Sequence, residues 1–271
     1  VSHTIRETRH GPVISDIHTN LTKTIHEDHV LALAAASLRS DDLTPLALFD
    51  LNRAQNWSDF TNAVRHFHAP QQNISYADID GNIGFIAPGR VPVRRAGNGR
   101  QPVPGWTGAF DWTGFIPFNA LPQTYNPGSG RIVNANHRIV PKTYAWYLTD
   151  DWAAPYRARR IHQMLDAREQ HSMNMSAGIQ NDILSLAAKD ILPVLLQYLS
   201  PRDRRAQRVT ERLQKWDARM SRDAVEPLIF INWISEISRA LFADELGPHF
   251  PAYFRLRPRV VERMLTSRRK W

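Results

Sequence analysis

A strand–turn–strand pattern around residue 80 limits the folds available to this chain of 271 residues. Two short runs with strand-like composition, at residues 73–78 and 83–86, flank the dipeptide Asp80-Gly81. That dipeptide tolerates the positive φ angles of a tight hairpin turn, so the pattern predicts an antiparallel hairpin. The fold therefore has to include antiparallel β-structure at this point.

The hairpin is followed by a region rich in proline and aromatic residues. Seven prolines lie between residues 88 and 127. We predict a long ordered loop held by its own side chains, and loops of that length in compact domains are usually functional. A strand is predicted to follow at residues 130–136. The aromatic side chains of the loop are Trp106, Phe110, Trp112, Phe115 and Phe118.

The residues before the hairpin predict a mixture of strands and helices. The first 15 residues alternate like a strand and run into a turn at His10-Gly11-Pro12, and the small apolar run at 29–36 predicts a buried strand. Thr44 with Pro45 starts one predicted helix, and Ser58 is the predicted N-cap of a second. The predicted inward faces are Leu48, Leu51 and Asn52 in the first helix, and Phe60, Ala63, Val64 and Phe67 in the second.

The second half of the chain has the periodicity of helices. Apolar residues recur at helical spacing over four stretches, at residues 156–165, 183–195, 230–242 and 260–265. The predicted fold class is therefore α+β, with a strand, hairpin and loop region at 1–140 and a helical region at 141–271. Because the chain starts at Val1 and stops within the last helical pattern, we expect it to be an internal piece of a longer polypeptide.

The net charge of +8 arises entirely from the second half. Residues 1–135 contain 11 basic and 11 acidic side chains, whereas residues 136–271 contain 23 basic and 15 acidic ones. A basic helix face could bind phosphates or a membrane surface, but no nucleic-acid motif accompanies it. We therefore favour a solvated face and expect neither nucleic acid nor membrane as a partner. The face consists of Arg204, Arg208, Arg212, Lys215 and Arg219.

Several enzyme classes are excluded by missing motifs. The chain has no cysteine, no G-x-S-x-G and no H-E-x-x-H sequence, which excludes thiolate nucleophiles, elbow-type serine hydrolases and that class of zinc peptidase. Asp78-x-Asp80 resembles the start of a calcium loop, but Gly81 stands fourth where the loop requires glycine sixth. His66 and His68 are predicted to be helix-end and surface histidines. We expect no metal or cofactor site in this chain.

Asn73 and Arg94 bracket the hairpin, and their context makes them candidate site residues. The stretch PQQNISYADIDGNIGFIAPGRVPVRRAGNG and the stretch PVPGWTGAFDWTGFIPFNALPQTYNPGSGRIVNAN resemble the penicillin acylase family of N-terminal-nucleophile hydrolases. Residues 9–13 and 56–60 resemble its upstream landmarks. TDDWAAPYRARRIHQML, LQKWDARM and EPLIFINWISEISRALFADELG resemble its helical ones. The resemblance follows the family's order through nearly the whole chain.

The resemblance implies part of a four-layer αββα sandwich and a catalytic serine exposed by autoproteolysis upstream of Val1. The α-amine of such a serine has a pKa near 8 and can act as the general base. In the family, the asparagine that matches Asn73 donates to the oxyanion, and the arginine that matches Arg94 helps to position the amine; Arg95 is its neighbour. The aromatic loop is expected either to support the site or to contribute to the core.

The resemblance also implies a substrate class and partners. The substrate is expected to be a small acyl amide such as a penicillin, a cephalosporin or an acyl-homoserine lactone. The missing α-subunit and the remainder of the β-subunit are the expected partners, in the periplasm or outside the cell. The family's usual calcium ligands would lie before Val1, and this chain alone is expected to be inactive. A catalytically dead binding module and a basic surface-binding protein are the alternatives.

Overall fold

The computed structural model describes residues 4–17, 25–253 and 257–267. Contacts within the chain divide it into two compact units, Val1–Trp152 and Ala153–Trp271. The boundary predicted from the sequence was at residue 140. No helix in the described ranges combines the length and the apolar composition that crossing a membrane requires.

The strands of the first unit form three small antiparallel sheets. Two of them are two-stranded, and the third has the order β3-β4-β7. The predicted hairpin is confirmed as the β3–β4 pair, in which Tyr76 lies opposite Gly84. The strands are β1 (Glu7–Thr8), β2 (Gly11–Pro12), β3 (Ile74–Ala77), β4 (Ile83–Ile86), β5 (Pro92–Arg94), β6 (Trp112–Phe115) and β7 (Gln123–Tyr125).

The hairpin turn is closed by the carboxylate of Asp78. Its oxygens accept hydrogen bonds from the backbone N–H groups of Asp80 (3.1 Å) and Asn82 (2.9 Å). The hydroxyl of Tyr76 also donates to it, at 2.7 Å. Hydrogen bonds to the Asp78 carboxylate hold its pKa below the usual value. The largest cause is the hydrogen bond from the side-chain amide of Asn82. The carboxylate of Asp78 therefore stabilises the turn.

Two helices precede the hairpin, α1 (Thr44–Leu51) and α2 (Trp57–Val64). The N-cap of α2 is Asn56, so the prediction of Ser58 was wrong. Asn56 has an extended backbone, and its side-chain oxygen accepts the N–H of Asp59 at 2.9 Å. The Asp59 carboxylate in turn accepts the side-chain amide of Asn56 at 3.0 Å. This reciprocal pair satisfies the first turn of the helix two residues earlier than Ser58 could.

The core of the first unit lies between the two helices and strand β4. The predicted inward face of α2 is confirmed. The predicted face of α1 is right for Leu51, which packs against the core, but wrong for Leu48, which is 51% exposed, and for Asn52, which is also exposed. The buried residues of α1 are Thr44 and Ala47, one turn apart. Their small side chains allow α1 to lie close to its neighbours. The buried cluster is Ala47, Phe60, Val64, Phe67 and Ile86.

Two predicted strands are absent from the described structure. In residues 29–36 no side chain is buried, and the segment makes only an isolated bridge, between Ala32 and Val13, before a short 3₁₀ turn at Ala36–Leu38. Residues 130–136 form no strand, because the side chain of Asn134 accepts the N–H of Asn136 at 3.0 Å and supports a turn instead. The predicted loop is more regular than expected, since it contains β5, β6, β7 and a 3₁₀ turn at Phe118–Ala120.

The second unit is helical, as predicted. Its core is formed by nine buried residues, among them Ile191, Leu213, Phe230 and Ile234. The basic helix α6 turns Leu213 inward, and Arg212 on it pairs with Glu226 at 2.7 Å. Arg219 lies beyond the end of α6, because Trp216 leaves the helical conformation. The helices are α3 (Tyr156–Asp166), α4 (Met173–Gln180), α5 (Leu186–Gln197), α6 (Arg204–Lys215), α7 (Glu226–Leu246), α8 (Phe250–Tyr253) and α9 (Pro258–Ser267).

Candidate active site

Asn73 lies directly before strand β3, where the backbone is held on both sides. On one side, Ile74 pairs with Ile86 in the β3–β4 hairpin. On the other, the side chain of Gln71 donates to the carbonyl oxygen of Arg90 at 2.9 Å. Asn73 itself is exposed. The structure thus presents a neutral side-chain amide to solvent from an ordered backbone, which suits a group that has to meet a substrate.

The side chain of Asn73 contacts a residue that sequence reasoning missed. Its Nδ2 atom donates to Oδ1 of Asn134 over a long distance of 3.4 Å. The same oxygen accepts the N–H of Asn136. The spacing Asn134-x-Asn136 is a signal for a local side-chain turn that could have been found. Nothing in the sequence, however, shows that this turn would meet a residue 61 positions away.

Arg94 ends strand β5 and is held between a backbone and a ring. It lies opposite Trp112 at an irregularity in the β5–β6 pair, and its guanidinium carbon is 5.9 Å from the Trp112 ring centroid. A Cβ atom at Gly99 would lie only 2.6 Å from Nη2 of Arg94. Gly99 also has a φ of +74°, which favours glycine. The chain thus passes close to the guanidinium at a residue without a side chain.

Arg94 and Arg95 have different environments. Arg94 is half-buried, whereas Arg95 is exposed and uses its backbone N–H to donate to the carbonyl of Asp111 at 2.9 Å. A cleft of about 190 Å³ opens beside Arg94, with Ile116 and Trp146 in its walls. Asn73 precedes a strand of the three-stranded sheet, and Arg94 belongs to the β5–β6 sheet, so the two predicted site residues are supported by different sheets.

The upstream landmark at residues 9–13 is bonded to the aromatic loop. The guanidinium of Arg9 donates to both carboxylate oxygens of Asp111, at 2.7 and 3.0 Å, and to the carbonyl of Gly105 at 2.6 Å. The His10 ring also lies 2.8 Å from that carbonyl. Hydrogen bonding to Arg9 lowers the pKa of Asp111. Two segments about 100 residues apart are therefore joined beside the β5–β6 sheet.

His68 is buried, so the prediction of a surface histidine was wrong for this residue. The ring Nδ1 of His68 accepts the backbone N–H of Leu43 at 3.0 Å, and the backbone N–H of His68 donates to the hydroxyl of Thr44. Burial is the main cause that lowers its pKa. His68 thus joins the start of α1 to the segment before the hairpin. Within residues 4–17, 25–253 and 257–267, no three His, Asp or Glu side chains are grouped so that they could hold a metal ion.

A larger cleft, of about 390 Å³, belongs to the second unit. Three of its polar side chains take part in hydrogen bonds or ion pairs between helices. The hydroxyl of Tyr156 donates to Glu262 at 2.7 Å, and Arg159 pairs with Asp190 at 2.6 Å. Burial is the main cause that raises the pKa of Tyr156, with this hydrogen bond second. These pairs fasten α3 to α5 and α9 and therefore have a structural explanation.

The fold shows the class of protein to which this chain is similar. The structure is similar to that of a thermostable penicillin G acylase from Alcaligenes faecalis, with a TM-score of 0.73 and 23% sequence identity over 92% of this chain and 45% of that chain. The likeness confirms the predicted fold class: α+β, part of an N-terminal-nucleophile hydrolase fold with a largely helical C-terminal half.

The sequence then gives the family. The penicillin amidase family model matches residues 1–271, and the chain belongs to this family. It is 31% identical over 261 residues to an acyl-homoserine lactone acylase of Pseudomonas fluorescens, covering 92% of this chain and 32% of that protein. It is 34% identical over 220 residues to the penicillin acylase 2 proenzyme of a Pseudomonas species, covering 80% of this chain and 27% of that protein. The chain thus spans about a third or less of the length of these relatives.

Proposed function

We propose that this chain is part of an amidohydrolase that removes an acyl group from a linear amide. The supporting observation is the match of the penicillin amidase model to the whole chain. The relatives bear the names acyl-homoserine lactone acylase and penicillin acylase, and both names describe the removal of an acyl group. The substrate class is therefore a small acyl amide, with penicillins, cephalosporins and acyl-homoserine lactones as the candidates.

The nucleophile in this proposal is an N-terminal serine in another part of a longer precursor. Its hydroxyl attacks the amide carbonyl, and its own α-amine takes the proton, because an amine with a pKa near 8 is partly unprotonated at neutral pH. This chemistry requires no histidine base. The G-x-S-x-G and H-E-x-x-H sequences that would indicate other hydrolytic mechanisms are missing from this chain.

In this proposal, Asn73 stabilises the tetrahedral oxyanion. Nδ2 of an asparagine carries two N–H groups, and one of them is directed at Asn134. Among the described residues, the second N–H has no protein acceptor, and Asn73 is exposed on an ordered backbone. A fixed neutral donor that meets the oxygen as negative charge develops stabilises the transition state more than the ground state.

Arg94 is proposed to position the nucleophile's amine. Its guanidinium lies near the Trp112 ring, and the chain at Gly99 passes close to it. A permanently charged group close to the α-amine favours the neutral form of that amine, and so favours the form that can act as a base. Its half-buried side chain, packed near an aromatic ring, is consistent with a group that has to keep one orientation through the reaction.

Replacement of Asn73 in the complete processed enzyme tests the oxyanion assignment. Asn73→Ala is expected to lower kcat by about 10²–10³ with a much smaller change in KM, because the lost hydrogen bond acts in the transition state. Asn52→Ala is the matched control, since Asn52 is also exposed and donates its amide to a carbonyl, that of Leu48 at 3.1 Å. Wild-type kcat in folded, processed Asn73→Ala enzyme would remove Asn73 from the oxyanion hole.

We further propose that the 271-residue chain has no acylase activity without its partners, the α-subunit and the remainder of the β-subunit. A chromogenic phenylacetyl or fatty-acyl amide, assayed with the chain alone and with the complete precursor, tests this. Turnover by the chain alone would refute it. By the same family likeness, the complete enzyme is proposed to be periplasmic or secreted and to carry a structural calcium outside this chain. Cell fractionation and metal analysis test these two points.

A further inference from the structure

We infer that Asn134 is a positioning residue that fixes the orientation of the Asn73 side-chain amide for catalysis. The inference rests on the proposed role of Asn73 as an oxyanion donor. That role requires the NH2 end of the amide, and not its oxygen, to point towards the reacting carbonyl. A free asparagine amide can rotate by about 180°, which exchanges these two ends. Some contact has to select the correct orientation.

Two donors converge on the side-chain oxygen of Asn134. The backbone N–H of Asn136 donates to Oδ1 at 3.0 Å, and Nδ2 of Asn73 donates to the same atom at 3.4 Å. A backbone N–H can only donate, so the Asn134 side chain has to turn its oxygen towards Asn136. With that oxygen fixed, the end of Asn73 that faces it has to be the NH2 group. The orientation of Asn73 is therefore set by a backbone group 63 positions later in the chain.

The turn that carries Asn134 is itself well defined. Asn136 has a φ of +59°, a left-handed conformation that asparagine tolerates better than most residues. Ala135 between them is buried, with 4% of its surface exposed. The side-chain hydrogen bond across two residues is the usual stabilising contact of such a turn. Asn134 thus offers its oxygen to Asn73 from a fixed position.

The other end of the Asn134 side chain supports the same orientation. Its Nδ2 atom is buried and has no acceptor among the described residues. Rotation of the amide would leave the oxygen there and would point the NH2 group at two donors, so both hydrogen bonds would be lost. The observed orientation is therefore the better one, although it leaves a buried donor unsatisfied. Unsatisfied buried groups of this kind are uncommon and need an explanation, and the task of holding Asn73 provides one.

A double-mutant cycle in the complete processed enzyme tests this inference. Asn134→Ala is expected to lower kcat by about 10- to 100-fold with little change in KM, because the Asn73 donor is present but no longer aligned. Asn73→Ala is expected to lower kcat by about 10²–10³. If Asn134 acts through Asn73, the double variant has the kcat of Asn73→Ala alone. Additive losses would show an independent effect of Asn134 and would overturn the inference.

Asn134→Ser separates positioning from loss of the turn. A serine hydroxyl can accept the N–H of Asn136 and preserve the turn, but it is too short to reach Asn73. The inference expects Asn134→Ser to lose as much kcat as Asn134→Ala while it folds and is processed normally. Wild-type activity in Asn134→Ser would show that only the turn matters and would overturn it.

The two proposals fail in different ways. A normal kcat in Asn73→Ala would overturn both the oxyanion assignment and the positioning role. A low kcat in Asn73→Ala together with normal kcat in both Asn134 variants would overturn the positioning role alone.

Discussion

The two units of this chain are stabilised in different ways. In the helical unit, nine described side chains are buried in one apolar cluster, and all of them but Ala218 lie on helices. In the unit that carries Asn73 and Arg94, the buried cluster has five members. Much of the remaining structure is held there by polar contacts between distant segments, such as Arg9 with Asp111 and Asn73 with Asn134. The helical unit therefore has the larger single apolar cluster, joined by polar pairs such as Tyr156 with Glu262, and the site unit uses polar contacts to hold its exposed side chains.

This difference fits the tasks of the two units. In the role proposed for it, Asn73 has to be exposed to reach a substrate, as it is, and cannot be fixed by burial in an apolar core. Directional contacts from other segments can fix such a group while leaving it accessible. We therefore expect each unit to lose most when the type of contact that dominates its structure is removed.

The largest expected effect is the loss of a core side chain in the helical unit. Phe230 is 1% exposed and its ring centroid lies 5.7 Å from that of Trp216. Phe230→Ala is expected to reduce the local free energy of unfolding by about 3–5 kcal/mol, from lost burial and the remaining cavity. Native-state hydrogen exchange of the α7 amides measures it. Leu228→Ala, on the same helix and 64% exposed, is the control, and equal effects of the two would contradict the assigned core.

The second-largest effect is expected in the site unit, at a glycine that packs against an aromatic ring. Strand residue Gly84 lies against the ring of Trp57, and a Cβ atom there would be 2.7 Å from Cε3 of that ring. Trp57 cannot move freely, because it stacks on Tyr125 at 4.9 Å. Gly84→Ala is expected to destabilise the β3–β4 hairpin by about 1–3 kcal/mol through overpacking.

Gly128→Ala is the matched control for Gly84→Ala, since a Cβ atom at Gly128 would have no neighbour within 4 Å. Amide exchange in β3 and β4 should accelerate in the Gly84 variant only. Because the same strand pair supports Asn73, kcat of the complete enzyme should fall as well. A normal hairpin with Ala at position 84 would show that Trp57 can be displaced at little cost.

These cases show which parts of the fold were predictable from the sequence. The stripe containing Phe60 and Val64 and the helix containing Phe230 and Ile234 follow from helical periodicity, which a single segment contains in full. The hairpin at Asp80-Gly81 was also predictable from one short segment, because a turn dipeptide lies between two strand-like runs. The cap of α2 was misplaced by two residues, although the reciprocal pairing of Asn56 and Asp59 was visible in the sequence.

The site was less predictable, since its contacts join distant residues. Asn73 and Arg94 were found only through a family resemblance, because neither residue type is unusual at a strand end or in a loop. Asn134 was missed because its contact with Asn73 spans 61 residues. The supposed strand at 130–136 shows the physical reason, since a side-chain hydrogen bond within the turn replaced the pairing that its composition suggested.

The helical unit also contains a polar contact that should stabilise it, the ion pair between Arg160 and Asp182. Arg160 donates to both oxygens of Asp182, at 2.7 and 2.9 Å, and Asp182 is 10% exposed. Hydrogen bonding to Arg160 is the main cause that lowers the pKa of Asp182. A lowered folded pKa means that the stabilisation is present above the unfolded pKa of about 3.9 and is lost as pH falls through the folded pKa.

Asp182→Asn should therefore destabilise the helical unit at pH 7 by about 1–2 kcal/mol, an amount reduced by the partial exposure of Arg160. The difference from wild type should shrink as the pH is lowered below about 4. Denaturant unfolding at a series of pH values measures this, and Asp203→Asn provides a control at an exposed helix cap. A difference that stays constant from pH 7 to pH 3 would exclude titration of Asp182 as its source.

The smallest expected effect concerns the contact between Arg9 and Asp111. Arg9 is half exposed, so its replacement should hardly change global stability. It nevertheless holds the 105–111 segment through hydrogen bonds to both Asp111 and Gly105. Arg9→Met should therefore accelerate hydrogen exchange at residues 105–111 while the melting temperature stays nearly constant. Arg6→Met is the matched control, because Arg6 pairs with Asp16 only ten residues away. If both variants left the 105–111 amides equally protected, long-range polar contacts would not be what orders this part of the site unit, and burial of its aromatic side chains would have to do so instead.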